Sequence, residues 1–150
     1  MSQPLQQTSN VGTEVDVLIA EHVMEHTIIR QKKGGVKERT GQGMIRPLRA
    51  YSRDMNAAWE VAQRMRITLV PIGDRNWFAL VGKPEGWSSP AELMQYMADN
   101  QFAEGGAAVQ PTGPLAICLA ALTAVQKRKA KKQKKASKKA PPDSLSASLN

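Results

Sequence analysis

Three groups of residues have types and spacings that could do chemistry. His22-Val23-Met24-Glu25-His26 sets two imidazoles four residues apart with a carboxylate between them. On a helix, His22 and His26 would share a face and could ligate zinc, with Glu25 as the base for a metal-bound water. The segment from Arg30 to Arg53 carries Arg30, Lys32, Lys33, Lys37, Arg39, Arg46, Arg49 and Arg53 against Glu38 alone, interrupted by Gly34, Gly35, Gly41 and Gly43. Glycines let backbone N–H groups turn toward an anion, and this segment feeds into a helix start, so phosphate is the matching ligand. The third group is the run Lys127-Arg128-Lys129-Ala130-Lys131-Lys132-Gln133-Lys134-Lys135, which would bind phosphate backbones without reading sequence.

Each group also has a plainer reading. Val15, Leu18 and Ile19 draw His22 into the apolar stripe of a predicted helix over residues 14–26. A third zinc ligand, such as Glu92 or Glu104, cannot be assigned, so no metal and no cofactor are expected. Gly41-Gln42-Gly43 is not a phosphate-binding P-loop, because no Gly-Lys-Ser/Thr follows. Residues 30–49 read by default as a solvated surface loop. The lysine run reads by default as a solubility tail.

The charge is unevenly placed. Residues 127–150 hold nine Lys/Arg and one acid, Asp143, for a net charge of +8. Residues 1–126 hold twelve Lys/Arg and twelve Asp/Glu, so the body is formally neutral. The single cysteine, Cys118, excludes an internal disulfide and sits within an apolar segment, where it reads as packed core. Residues 1–10 lack an apolar core of a secretory signal.

The elements that must position these groups follow from periodicity. Ser52 is the predicted N-cap of a helix in which Met55, Ala58, Trp59, Ala62 and Met65 form the buried stripe. Ile67–Ile72 and Trp77–Val81 are predicted strands joined by a hairpin loop at 73–76, with Pro71 at an edge or bulge. Ser89-Pro90-Ala91-Glu92 is a capping box that starts a helix over 89–100. Residues 101–103 read as a short strand and 104–111 as a loop. Thr112-Gly113-Pro114 starts a helix that is apolar nearly all round from Leu115 to Val125, hence buried on more than one side. It is too short to span a bilayer. The fold class is therefore α+β, a small, mainly antiparallel sheet between helices (an α/β/α sandwich), followed by a basic tail. The expected organisation is a disordered N-terminus at 1–12, one domain at 13–126 and a disordered Lys-rich tail at 127–150, in which the Lys/Ala/Gln stretch could continue the last helix for some turns against its own charge repulsion before Pro141 and Pro142 end it.

Three collinear blocks resemble the phage ABA sandwich domain family. They are Leu18-Ile19-Ala20-Glu21-His22-Val23-Met24, then Tyr51-Ser52 with Ala57-Ala58-Trp59-Glu60-Val61, and Thr112-Gly113-Pro114-Leu115-Ala116-Ile117-Cys118. The chain departs from the family pattern at Glu25-His26, where Gly-Trp is common, and at Leu119, where Arg is common. The 83–101 helix and the lysine tail lie outside the pattern.

The resemblance implies a non-enzymatic phage or prophage protein. The family includes proteins that sequester the cyclic nucleotide-like signal of the Thoeris bacterial defence. It implies an oligomeric sponge in the cytoplasm of an infected host, with a small anionic nucleotide-like ligand and no membrane partner. It implies phosphate contacts at the loop before the last helix, where Thr112 matches, and a base stacked on Trp77 or Phe78 of the central sheet. Arg46, Arg49 and Arg53, near a second helix start, are the candidate partners for the same phosphates. The alternative is an accessory protein that binds nucleic acid non-specifically through its tail; a zinc peptidase is a remote third.

Overall fold

In a computed structural model of the protein, residues 12–139 are described, with side chains as far as residue 136. Helix α1 covers residues 12–18 and widens into a π turn at Ile19–Val23. It ends because Glu25 adopts a left-handed conformation, φ 60°, and the His26 N–H donates back to the Ala20 carbonyl at 2.7 Å. That bond closes one residue more than the 6→1 bond of a Schellman motif, because the last turn is a π turn. Arg64 adds a bond from its Nε to the Val23 carbonyl at 2.7 Å. The predicted helix over 14–26 thus stops short, and His26 leaves it on the way into a strand.

The basic segment is a sheet, not a loop. Strands β1 (Thr27–Arg30), β2 (Val36–Arg39) and β3 (Ile45–Pro47) pair antiparallel in the order β1-β2-β3. The alternating apolar signal is missing because the residue that β2 buries is a glutamate, Glu38. The glycines serve the turns. Gly34 (φ 88°) donates to the Gln31 carbonyl and Gly43 (φ 91°) to the Thr40 carbonyl, so neither N–H is turned toward an anion.

Helix α2 (Met55–Met65) is capped by Asp54, whose carboxylate accepts from the Asn56 N–H at 3.0 Å. Ser52 is not the cap. It is buried and its N–H donates to Asp16 Oδ1 of α1 at 2.8 Å. The buried face is Ala57, Ala58, Val61, Ala62 and Met65. Trp59 and Met55, expected in the core, are 52% and 38% exposed. The small alanines are what let α2 lie close to its neighbours, and the bulky residues fall to the flank of that stripe.

The second sheet contains β4 (Ile67–Ile72), β5 (Asn76–Val81) and β6 (Ala107–Gln110), antiparallel in the order β4-β5-β6. The β4–β5 hairpin and the edge position of Pro71 agree with expectation. The segment expected as a loop supplies β6. Its Ala-Ala-Val-Gln sequence has little strand propensity, and pairing with β5 decides its conformation. Helix α3 (Pro90–Ala98) is capped by Ser89, which accepts from the Glu92 N–H at 3.2 Å, and none of its residues is buried. Residues expected as a strand form the short helix α4 (Phe102–Gly105).

Helix α5 (Gly113–Lys139) packs across the second sheet, α2 and α1. Its buried residues, Ala116, Ile117, Cys118, Ala120, Ala121, Leu122 and Ala124, are the expected apolar core. Gly106, at φ 139°, passes so close that a Cβ there would lie 2.7 Å from the Ala124 Cβ. The helix does not stop at residue 126. It continues through the lysine run to Lys139, because Lys, Ala and Gln are all good helix formers. The remainder of the expected tail, 140–150, and the expected disordered N-terminal segment up to residue 11 lie outside the described residues. The α+β class stands, with two three-stranded sheets in place of one.

A buried carboxylate ties the first sheet to α2. The Glu38 side chain is 0% exposed. Its Oε1 accepts from the Tyr51 hydroxyl at 2.8 Å and from Arg46 Nε at 2.8 Å, and lies 3.3 Å from His26 Nδ1. Oε2 is buried and has no hydrogen-bond partner among the described residues. Burial, then the carboxylate beside it, push the Tyr51 phenol well above its ordinary value, so this hydroxyl stays a donor. Removing one member of such a buried charged group leaves the others uncompensated. Glu38→Ala should therefore cost about 3–5 kcal/mol and Tyr51→Phe about 1–3 kcal/mol, read as shifts of the urea unfolding midpoint. Equal and small effects from the two would show that the cluster is not holding the sheet.

Candidate functional site

Two tryptophans and an unpaired arginine line one groove. It lies between the C-terminal half of α2, the edge strand β4 and the loop after β5. Trp59, Gln63, Arg66, Thr68, Gly86 and Trp87 line a volume of about 290 Å³, near the lower end for small-molecule sites.

Each wall has a local cause. Trp59 is held outward by the alanine face of its own helix. Arg66 is the C-cap of α2 in the left-handed conformation, φ 54° and ψ 50°. A non-glycine residue there is strained by about 1–2 kcal/mol, and strain of this kind collects at ligand sites. Among the described residues, no carboxylate pairs with the Arg66 guanidinium.

Trp87 is positioned from three sides. Its ring packs on Tyr96 of α3 at 4.9 Å between centroids. Lys83 Nζ lies 6.0 Å from its ring centroid, the outer limit of a cation–π contact. Beneath it Gly82 leaves just enough room: a Cβ there would lie 3.0 Å from the indole and 2.8 Å from the Arg66 carbonyl. The Gly82 N–H already donates to that carbonyl at 2.9 Å, closing the β5 end against α2.

The loop itself hangs on Glu92. Its Oε2 accepts from the Ser88 hydroxyl at 2.5 Å and the Ser88 N–H at 2.7 Å, and its Oε1 accepts from Lys83 Nζ at 2.9 Å. The Ser88 hydroxyl first, then the Lys83 ammonium, hold the Glu92 carboxyl down at about 2 against an ordinary 4.5. This differs from the expected reciprocal capping box, since Glu92 reaches Ser88 and not the Ser89 N–H.

The residues singled out by sequence are not gathered here. Arg46 is bound to Glu38. Arg49 is paired with Glu60 of α2, and Arg53 Nη2 lies 3.6 Å from the buried Asp16. Trp77 and Phe78 point to opposite faces of β5. Trp77 packs on the core with Ala79 and Val81, whereas Phe78 meets Phe102 of α4 edge-on at 5.2 Å. One site on one chain therefore cannot use both. Thr112 is exposed, and its carbonyl accepts from the Ala116 N–H at 3.1 Å as α5 begins.

The zinc pattern is divided by the end of α1. His26 faces Glu38, His22 Nδ1 lies 3.0 Å from Lys129 Nζ, and Glu25 pairs with Arg64 at 3.2 Å. Among the described residues no three His, Cys, Asp or Glu form a group able to hold a metal. Burial pushes the Cys118 thiol well up, which suits a packed residue and not a nucleophile.

The sequence matches the phage ABA sandwich domain over residues 17–122. The chain belongs to the phage ABA sandwich family. Curated proteins include no match. Among solved structures, this ABA sandwich protein is similar to a phage protein from Bacillus cereus ATCC 14579, determined at 2.0 Å. The two are 17% identical, the match covers 75% of this chain and 84% of that one, and the TM-score is 0.49. No helix among the described residues is long and apolar enough to cross a membrane.

The groove residues lie within the bounds of the family match. Two signals in the sequence point to the groove. One is a tryptophan on the flank of an alanine stripe. The other is Gly86-Trp87 in a loop directly before a capping serine, since a large amphipathic aromatic in a loop more often serves binding.

Three outcomes test this description. Gly82→Ala should displace the Trp87 indole and alter tryptophan emission while α2 and α5 keep their helical circular dichroism. Glu92 favours its charged form in the folded loop, so its hold is complete above about 4.5 and lost as pH falls toward about 2. Trp87 emission should thus stay constant from neutral pH to about 4.5 and shift below it, and Glu92→Gln should show the acid-type emission already at pH 7. Elemental analysis of protein purified with equimolar zinc should find no retained metal; zinc lost on His22→Ala would reinstate the peptidase.

Proposed function

We propose that this phage protein is a non-enzymatic binding protein that retains a small anionic molecule bearing a base, and so withdraws a nucleotide-type defence signal from its host. The observation that carries this reading is Arg66, an unpaired guanidinium in a strained backbone conformation, lining the same groove as Trp59 and Trp87. Indole faces suit a purine or pyrimidine ring, and a guanidinium suits a phosphate. Gln63 and Thr68 add hydrogen-bonding groups for a sugar or base edge. Nothing in the groove supplies a nucleophile with an adjacent base, so retention and not turnover is the matching activity.

Membership of a phage family in which some proteins sequester nucleotide signals supports the same class of ligand. Thr112, Trp77 and Phe78 then act on a ligand only through a second copy of the chain, and an oligomer is part of this reading.

Arg66→Gly separates ligand binding from folding. Glycine relieves the left-handed strain, so the variant should be as stable as the natural chain or about 1 kcal/mol more so. Its retention of cyclic ADP-ribose isomers and cyclic dinucleotides, measured by calorimetry, should fall at least about tenfold, the loss of roughly one charge-assisted bond. Trp59→Ala should weaken retention by a similar factor, as loss of a stacking face costs about 1–3 kcal/mol. Binding by the natural chain that both variants leave intact would place the ligand elsewhere. No binding to any of these nucleotides would remove the sponge reading.

A further inference from the structure

We propose that the C-terminal half of α5 is an ordered, one-sided cationic surface that binds the phosphate backbone of a nucleic-acid duplex. The helix carries Lys127, Arg128, Lys129, Lys131, Lys132, Lys134 and Lys135, and no acidic residue lies between Glu104 and Asp143. At 3.6 residues per turn, Lys134, Lys127, Lys131, Lys135, Arg128 and Lys132 fall within an arc of about 160°. The rest of the circumference holds Ala130, Gln133, Ala136 and Lys129. A random solubility tail needs no such sorting.

The arc continues a structural line. Five of the seven buried residues of the packed half, Ala116, Ile117, Ala120, Ala121 and Ala124, point to the same side of the helix as the cations beyond them, while Cys118 and Leu122 lie outside that arc. The face changes from apolar to cationic at residue 127, where Lys127 Nζ turns back to the Ala103 carbonyl. Lys129, off the arc, turns to His22 of α1. Residues 128 and 130–136 are exposed. The packed half of α5 therefore fixes the orientation of the cationic half.

The chemistry selects the partner. Arg128, Lys131, Lys132 and Lys135 occupy about 10 Å of helix, one charge per about 2.6 Å. Duplex DNA presents one phosphate charge per about 1.7 Å of its axis, so the two densities are comparable. The opposite side of this helix segment offers Lys129, Ala130, Gln133 and Ala136, with no Leu, Phe or Trp to enter a lipid surface. It has no aromatic residue on which single-stranded bases could stack.

The test uses the full chain and its variants on a 20-base-pair duplex, followed by anisotropy across salt. Neutralising about four phosphates predicts a slope of about −3.6 for log K against log salt, a loss of roughly 150-fold between 50 and 200 mM. Lys131→Gln with Lys135→Gln should lower the slope by about two, whereas Lys129→Gln should leave it nearly unchanged. The decisive variant keeps every charge: exchanging Ala130 with Lys131, and Lys132 with Gln133, moves two cations off the arc without loss of helix formers. It should lose as much slope as the glutamine pair, with circular dichroism unchanged. Binding equal to that of the natural chain would show a flexible polycation and overturn the proposal. Tighter binding to oligo(dT), or to vesicles of phosphatidylserine and phosphatidylcholine, than to the duplex would also overturn it. Trp59→Ala should have no effect, which keeps this surface separate from the groove.

Discussion

One carboxylate organises the N-terminal half of the molecule. Glu38 lies at the buried position of a strand whose neighbours are basic, and its Oε1 draws Arg46, Tyr51 and His26 inward. A buried charge persists only where its partners are held in place. These partners come from the end of α1, the third strand and the turn before α2, so satisfying Glu38 brings three separate segments together. Asp16 repeats the device one step further along, holding the Ser52 N–H with Arg53 nearby. The two acids fix the path of the chain from the first sheet into α2. They also give Arg46 and Arg53 carboxylate partners within the chain, as Glu60 does for Arg49.

The C-terminal half is organised by smallness. Alanines on α2 and α5 face each other and the second sheet, and Gly106 and Gly82 remove Cβ atoms where backbone or indole comes close. Added bulk at these close approaches would force the elements apart. Trp77 packs against the core, whereas Trp59 and Trp87 stand at the periphery and become the walls of a groove. The π turn in α1 belongs to the same packing, since Ile19, Ala20 and Val23 are all buried.

Charge is distributed accordingly. Within the body, positive and negative side chains are equal in number, and many of the arginines are engaged in ion pairs. Among the described residues no carboxylate pairs with Arg66, which lines the groove with Trp59 and Trp87. The excess charge is exported along α5, beyond the packed layers. The proposed small-anion site and the proposed polyanion surface thus lie on separate elements.

Much of this was legible in the residues themselves. The apolar girth of Leu115–Val125, the Ser89 cap, the β4–β5 hairpin, the edge proline and the three family blocks all depend on local propensity or short periodicity, which sequence carries directly. The buried Cys118 follows from the same girth. Other features depended on partners distant in the chain. The first sheet was hidden because its inward residue is an acid whose compensation comes from Tyr51, thirteen residues away, and from His26. β6 was hidden because alanine takes its conformation from β5. Trp59 was misplaced because a helical stripe shows which residues share a face, but not which edge of that face a neighbouring helix will cover. The fate of each arginine, paired or open, was settled only when folding brought Glu38, Glu60 and Asp16 to three of them and none to Arg66. Sequence determined the elements and the charge inventory; tertiary structure decided which charges were neutralised and which aromatics were left facing solvent, because both depend on long-range contacts that no local pattern encodes.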